Sequence, residues 1–184
     1  VTARGTLTVA FDSADVADLT TIAEWVGARG HAVEMLSRSA LRALEPGVGG
    51  RAALSCPTEL SVDNRAVLAA LAESCKALGV QVTTTDVVDP AALPEDRVVV
   101  AAGWASSALL PGVSVRPVKG EILRLRRRAG SVPTPAHTVR ATVNGRAVYL
   151  VPRADGLVVG ATQYEHGDDT AVTAAGVRDL LADA

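Results

Sequence analysis

The chain has 184 residues, a hydrophobic fraction of 48% and a formal net charge of −2. A chain of this length and composition can bury a core, which excludes an intrinsically disordered protein. Because acidic and basic residues nearly balance, the composition gives no general attraction to nucleic acid or to an anionic membrane.

The first third of the chain predicts short strands alternating with helices. Residues 5–11 alternate in the manner of a strand, and Asp12 offers a capping oxygen for the helix that follows. A short strand is expected at residues 31–36. Ser37 then caps a brief helix, and residues 51–55 form another strand. This part of the chain therefore supplies sheet with helical cover.

The middle of the chain contains the clearest helical pattern. Asp63 can cap it, apolar residues line one side, and Gly79 ends it. Residues 80–84 and 97–103 are rich in β-branched residues, which predicts two strands. A helix flanked by such strands is typical of a parallel α/β unit.

The last part of the chain predicts antiparallel sheet. Residues 118–126 alternate apolar and charged side chains, which indicates a half-buried strand. Strands are expected at residues 147–151 and 157–159, with a turn from Pro152 to Gly156. A helix follows at the end of the chain, after acidic and threonine residues that can cap it.

The change of pattern along the chain predicts two layers of organisation. Residues 1–57 and 112–184 favour an antiparallel unit, interrupted by a piece of α/β unit at residues 58–111. The predicted fold class is α+β: a mixed, largely antiparallel sheet with flanking helices, plus an incomplete α/β piece.

Three motifs follow one another between Val115 and Thr162: PVKGE, YLVPR and VVGAT. Together they resemble the FAD-dependent glycine oxidases that serve thiazole synthesis in thiamine formation, within the D-amino-acid oxidase group. The resemblance extends loosely from Gly5 to about Thr162. It implies that residues 1–57 and 112–184 form the substrate-binding domain and that residues 58–111 are a partial FAD-binding domain.

The same resemblance implies two substrate-binding residues. Tyr149 in YLVPR matches a tyrosine that hydrogen-bonds the carboxylate of the substrate, and a phenol suits that role because it donates without adding a charge. Gln163, just after VVGAT, would lie near the flavin and the substrate, although relatives often have an apolar residue there. The alternative for Tyr149 is a sheet tyrosine whose ring packs while its hydroxyl reaches water.

For FAD, the resemblance implies contacts in the α/β piece. Val87 and Val88 lie where relatives contact the adenine half of FAD through the backbone. Ala102, Gly103 and Trp104 are similar to a later A-G-x-W-S turn of the family, but one residue tighter. The alternatives are ordinary strand valines and a strand end with a packed aromatic. The sequence contains no GxGxxG turn, so we expect no tight FAD binding by this chain alone.

Other polar groups favour structural interpretations. Lys119 in PVKGE is predicted to be a strand-edge or structural cation, and Arg153 to bond local carbonyls in a turn. The arginines at 124 and 126–128 indicate a solvated strand end. Residues 165–169 suggest a polar loop, and we predict no metal site there. No G-x-S-x-G elbow is present, so hydrolase chemistry is not supported.

The resemblance implies an internal fragment of an oxidase that moves a hydride from the α-carbon of glycine or a small amine to flavin, giving an imine. Oxygen then reoxidises the reduced flavin and is itself reduced to peroxide. No residue of the chain is assigned as catalytic. In the family, the carboxylate-clamping arginine and the last flavin loop lie beyond the position of Ala184, and the phosphate loop lies before Val1. We therefore expect the isolated chain to be inactive.

Two alternatives stay open. One is a sibling oxidase of sarcosine or a D-amino acid, and the other is a non-catalytic binding module on the same scaffold. Since no apolar run could span a membrane and no signal pattern is present, we expect a cytoplasmic protein. A small amino acid is the expected partner, without nucleic acid or membrane, and exposed apolar edges favour a homo-oligomer.

Overall fold

The protein is described by a computed structural model that covers residues 1–165 and 167–184 and divides into two compact units. Their assignment to substrate and flavin domains stays a prediction. The first unit comprises Val1–Val67, Gly120–Thr162 and Val172–Ala184, and the second comprises Leu68–Lys119 and Gln163–Ala171.

A seven-stranded sheet forms the centre of the first unit. Its strands are β1 (Ala3–Ala10), β2 (Glu34–Ser37), β3 (Ala52–Ser61), β4 (Ile122–Arg126), β5 (Thr138–Val143), β6 (Arg146–Arg153) and β7 (Gly156–Gly160). In space the order is β2-β3-β1-β5-β6-β7-β4. Strands β1 and β5 are parallel, and the other neighbours are antiparallel. The predicted α+β class with a mixed, largely antiparallel sheet is confirmed.

Three helices lie wholly within the first unit: α1 (Ser13–Gly27), α2 (Arg38–Leu44) and α5 (Ala174–Asp183). Each is preceded by a residue whose side chain accepts hydrogen bonds from backbone N–H groups that the first turn leaves unpaired. Asp12 and Asp15 form a reciprocal capping box at α1. Ser37 caps α2 and Thr173 caps α5. The caps expected at Asp12 and Ser37 are therefore present.

One side of the sheet, which we call the core face, is packed against α2 and α5. Over β1 and β5 it buries Leu7 and Val139 together with Leu41 from α2. Over β6 and β7 it buries Val159 with Leu180 from α5, in a cluster that also contains Val148. Full burial of one such side chain contributes about 2 kcal/mol, so these clusters hold both helices against the sheet.

The opposite side, which we call the tyrosine face, is covered differently along its width. Over β1 and β3, Leu19 of α1 packs against Ala10 and Leu54. Over β5, β6 and β7, none of the three helices that lie wholly within the first unit contributes a buried cluster, as far as the described residues extend. The strand register places Thr8, Arg140, Tyr149 and Gly160 side by side on this face.

Strand β5 was not expected from the sequence, which predicted no element between residues 126 and 147. The hairpin after it also differs from the prediction, because β6 continues through Pro152 and only Ala154 and Asp155 form the turn. A proline is tolerated there since the β5 ladder ends at the pairing of Val139 with Leu150. Likewise β3 extends beyond the predicted residues 51–55, with a bulge in its register with β1.

The second unit contains most of α3 (Asn64–Ala77), the one-turn helix α4 (Ser106–Leu109) and the short 3-10 turns Pro90–Ala92 and Gly103–Ala105. The strands predicted at residues 80–84 and 97–103 are wrong. A strand exists only through ladder bonds to a neighbour, and no described residue pairs with either segment. The apolar side of α3 is exposed, with Leu68 65% and Leu71 56% accessible.

None of the helices in the part of the chain that the structure describes has the length and apolar character needed to cross a bilayer.

Candidate functional site

Tyr149 lies in the middle of the tyrosine face, where β6 places it between Arg140 on β5 and Gly160 on β7. Its ring covers Gly160: a Cβ built on that glycine would overlap Cζ and Oη of the phenol and would lie 2.7 Å from Cε2. The residue is half-buried. Within the described residues its hydroxyl makes no hydrogen bond, so it can donate to a ligand.

Arg140 provides a positive charge on the neighbouring strand. Its Nη2 atom lies 3.4 Å from Oε2 of Glu59, and the two side chains are 55% and 42% exposed. A pair this exposed contributes little to stability, and either partner can reorient toward a ligand. The same surroundings act on Cys56: burial raises the pKa of its thiol, Glu59 adds to the effect, and Arg140 opposes it. The thiol is therefore protonated near neutral pH and is a poor nucleophile.

A cleft of about 400 Å³ lies between α1 and the tyrosine face. A phenol, a guanidinium group and two carboxylates, those of Asp15 and Asp18, border it together with methyl and methylene groups. These groups can bind a small ligand that carries one positive and one negative group, because the carboxylates attract the positive group while the guanidinium and the phenol attract the negative one. The lining residues include Thr8, Asp18, Leu19, Arg140, Ala147 and Tyr149.

A second cleft, of about 220 Å³, opens on the core face and is lined mainly by apolar side chains such as Val9, Val139 and Leu150. Its carboxylate, Asp183, is already bonded to both Nε and Nη2 of Arg146 at 2.7 and 2.6 Å. This cleft lacks the free polar groups that orient a substrate, so the tyrosine face is the better candidate.

In the PVKGE motif, the residues on either side of Gly120 both make structural contacts. In the second unit, the Lys119 side chain is 6% exposed, and its ammonium forms an ion pair of 2.7 Å with Asp169 and also donates to the carbonyl of Ala171. In the first unit, the Glu121 carboxylate accepts from the backbone N–H and the hydroxyl of Thr173 at 3.0 and 3.1 Å. Lys119 is thus the structural cation that the sequence predicted.

Gly176 explains how Glu121 reaches the start of α5. A Cβ at that position would overlap Oε2 of the carboxylate. A negative charge at a helix N-terminus is stabilised by the helix dipole, and here it also satisfies the Thr173 N–H. The motif therefore attaches the last helix of the first unit to the edge of its sheet.

Arg153, at the end of YLVPR, also has a structural role. Its Nη1 donates to the carbonyl of Pro152 at 3.3 Å and to the hydroxyl of Thr2 at 3.0 Å. This agrees with the turn arginine that the sequence favoured. The arginine run is exposed at β4, which is an edge strand, and positive charge there discourages pairing with another sheet.

The residues expected to contact FAD all lie in the second unit. Val87 is half-buried and Val88 is 81% exposed, and within the described residues their backbone groups make no hydrogen bonds. Gly103 has φ +59, a Cβ on it would meet nothing within 4 Å, and Trp104 is 51% exposed. The free backbone groups of Val87 and Val88 and the open space at Gly103 are compatible with contacts to a dinucleotide. No glycine-rich cradle for its pyrophosphate is present in the sequence.

The second predicted substrate residue, Gln163, belongs to the second unit and is exposed, whereas Tyr149 belongs to the first. Of the predicted polar loop at residues 165–169, His166 lies outside the described residues. Glu165 forms an exposed ion pair of 3.2 Å with Arg116. No group of three metal-binding side chains occurs within residues 1–165 and 167–184.

Sequence reasoning missed two members of this site. Arg140 lies on β5, and the alternation in TVRATV was the signal that could have identified that strand. Gly160 lies inside the VVGAT motif that we quoted, but a glycine in a strand has several explanations. Only the position of the Tyr149 ring distinguishes between them.

Comparison with known proteins is consistent with these features. A family model described as FAD dependent oxidoreductase matches residues 1–184. A curated relative, the bifunctional protein ThiO/ThiG of Synechocystis sp. (strain ATCC 27184 / PCC 6803 / Kazusa), is 33% identical over 165 residues. That match covers 79% of this chain and 24% of the relative.

Two solved structures extend the comparison to the fold. Glycine oxidase from Geobacillus kaustophilus has a TM-score of 0.87 at 27% identity, covering 99% of this chain and 53% of that one. Iminodiacetate oxidase from Chelativorans sp. BNC1 has a TM-score of 0.72 at 25% identity, covering 96% of this chain and 53% of that one. The chain therefore spans about half the length of these solved relatives.

Proposed function

The chain belongs to the family of FAD-dependent oxidoreductases, and we propose that it forms the substrate-facing part of an oxidase that converts glycine or a small amino acid to the imine with release of peroxide. The observation that carries the proposal is the position of Tyr149, with a hydroxyl that has no partner among the described residues. The likeness to a glycine oxidase supports the choice of substrate.

In this proposal Tyr149 donates its hydroxyl hydrogen to the carboxylate of the amino acid. Arg140, on the adjacent strand, adds positive potential that favours the same anion. Holding the carboxylate fixes where the α-carbon lies, and orientation of this kind lowers the barrier of the chemical step. The apolar groups of the cleft help to exclude water from the reacting centre.

FAD, when bound, would supply the two-electron acceptor for this chemistry. Backbone groups of Val87 and Val88 would hold its adenine half, and the turn at Ala102, Gly103 and Trp104 would approach it. Gln163 would contribute on the substrate side. The turn for the pyrophosphate would come from polypeptide outside this sequence, so tight FAD binding by the 184-residue chain alone is not expected.

A biosynthetic role in thiamine formation is part of the proposal. It is supported by the relative named ThiO/ThiG and by the order of the three motifs. The likeness to an iminodiacetate oxidase supports, as a second candidate, a secondary amine such as sarcosine. We also propose a cytoplasmic location and self-association through the exposed apolar side of α3.

The test uses the FAD-loaded product of the gene region that encodes this chain together with its flanking sequence. Tyr149→Phe should raise KM for glycine about tenfold, because one hydrogen bond to a charged group contributes about 1.4 kcal/mol. Tyr164→Phe, which changes the other tyrosine of the chain, is the matched control and should leave KM within about twofold. Peroxide release measures both variants.

If the flavin-loaded protein releases no peroxide with glycine, sarcosine or D-amino acids, the oxidase proposal is wrong and the non-catalytic module is favoured. Turnover of sarcosine with no turnover of glycine would replace the first candidate by the second.

A further inference from the structure

Gly160 has neighbours on both sides in the sheet. The strand register pairs it with Tyr149 on β6 and with Ile122 on β4. It is buried, and the atoms that a Cβ would meet first are Cζ, Oη and Cε2 of the Tyr149 ring. The aromatic ring therefore lies across the strand on the bare backbone of the glycine, as cross-strand aromatic and glycine pairs do.

The space around Gly160 gives a reason for a glycine here. The φ of Gly160 lies outside the left-handed region, so φ alone does not require a glycine at this position. What excludes a larger residue is the phenol itself, since each of the three nearest atoms belongs to Tyr149. Removing the ring would remove this steric conflict.

The other end of the same strand gives a contrast. At Gly156 a Cβ would overlap the carbonyl oxygen of Leu125 and lie 2.9 Å from its carbon, which are backbone atoms of β4. That glycine sets the spacing of two strands. At Gly160 the three nearest atoms belong instead to one side chain, so this glycine makes room for the Tyr149 ring.

We propose that Gly160 is a positioning residue for substrate binding: it seats the Tyr149 ring so that the phenol hydroxyl is held at the level of the substrate carboxylate. This inference rests on the proposed function, in which Tyr149 binds that carboxylate. A methyl group at position 160 would lift or rotate the ring by displacing Cζ and Oη. The hydroxyl would then miss the carboxylate although the phenol is still present.

The first experiment measures kinetics in the FAD-loaded parent protein. Gly160→Ala should raise KM for glycine about tenfold, as loss of the Tyr149 hydrogen bond does, while kcat changes less than about threefold. Gly50→Ala is the matched control, because its Cβ would meet Val9 Cγ1 at 2.5 Å and Leu41 Cδ2 at 3.0 Å, also side-chain atoms. It lies in the core-face packing, so KM should stay unchanged.

Combining variants tests whether Gly160 acts through the ring. Adding Gly160→Ala to Tyr149→Phe should raise KM less than about twofold further, since the hydroxyl is already gone. If Gly160→Ala shifts KM no more than Gly50→Ala, or if its effect adds fully to that of Tyr149→Phe, the seating role is overturned.

A stability measurement separates this inference from the proposed function. In the 184-residue chain, Gly160→Ala should lower Tm, and adding Tyr149→Leu should restore part of that loss because the shorter side chain clears the methyl group. Tyr149→Phe keeps the ring and should restore less. No rescue by Tyr149→Leu would overturn the seating of the ring even if the parent is an active oxidase. Rescue in an inactive parent would support the seating and refute the oxidase proposal.

Discussion

The sheet of the first unit has two halves that differ in their cover. In the half made of β2, β3 and β1, the core face packs against α2 and the tyrosine face packs against α1. In the half made of β5, β6, β7 and β4, α5 covers the core face, and the tyrosine face carries Arg140, Tyr149 and Gly160. The first half is stabilised by helices on both faces, whereas the tyrosine face of the second half leaves polar groups available for a ligand.

This difference shows how one sheet can support both a core and a site. Side chains alternate between the faces of a strand, so each strand can bury one set and present the other. On β5, Val139 is buried on the core face while Arg140, the next residue, is exposed on the tyrosine face. Three predictions test how far the two halves differ.

The largest effect is expected from truncating the core of the covered half. Leu41→Ala should cost about 3 kcal/mol of unfolding free energy, because Leu41 is 1% exposed and its loss leaves a cavity. Ile122→Ala, on the tyrosine face of the other half, is 43% exposed and should cost less than about 1 kcal/mol. Urea unfolding of both variants measures the contrast. Equal losses would mean that the second half is packed on both faces.

The next effect concerns a buried carboxylate at the end of α2. Oε1 of Glu45 accepts from the backbone N–H groups of Ala136 and His137 at 2.8 Å each, and lies 2.6 Å from Nδ1 of His137. Glu45→Ala should cost about 2 to 3 kcal/mol, because it removes the buried acceptor of all these hydrogen bonds. Glu59→Ala, whose carboxylate is 42% exposed in its pair with Arg140, should cost less than about 0.5 kcal/mol.

Thermal unfolding of these two glutamate variants measures the difference. A loss for Glu59→Ala that matches the loss for Glu45→Ala would show that the Arg140 pair on the tyrosine face is rigid, and would argue against its availability to a ligand.

The smallest effect depends on pH and concerns the helix of the second half. Hydrogen bonds from Arg146 hold the pKa of Asp183 below its ordinary value of 3.8, and Arg146 begins β6 while Asp183 ends α5. The folded state therefore favours the ionised form, so the pair stabilises fully above pH 3.8 and loses its effect as the pH falls below that value. Asp183→Asn should cost about 1 kcal/mol at pH 7.

The difference in Tm between wild type and Asp183→Asn should shrink at pH 3 relative to pH 7. The control is Asp179→Asn, since Asp179 pairs with the exposed Arg178 that precedes it in sequence. A difference that grows on acidification would contradict the assigned direction of the Asp183 pKa.

Much of the fold could be read from local patterns. The caps at Asp12 and Ser37, the helix from Asn64 and the hairpin of YLVPR and VVGAT depend on residues that are near one another in sequence. The strands predicted at residues 80–84 and 97–103 are wrong because a strand depends on residues that are distant in sequence. Apolar β-branched residues favour an extended chain, but a strand also needs a partner, and a local pattern cannot supply one.

The sequence by itself determined the alternation that separates core from surface, the helix starts, and the order of motifs that identifies the family. Only the tertiary structure decided that β5 lies parallel to β1, that Arg140 is beside Tyr149, and that Gly160 lies under the phenol ring. These contacts join separate strands. The register of the strands depends on how they pair, on the bulge between β1 and β3 and on the two-residue turn between β6 and β7. Because register is a relation between two strands, the sequence of one strand does not show which side chains of the other strand it contacts.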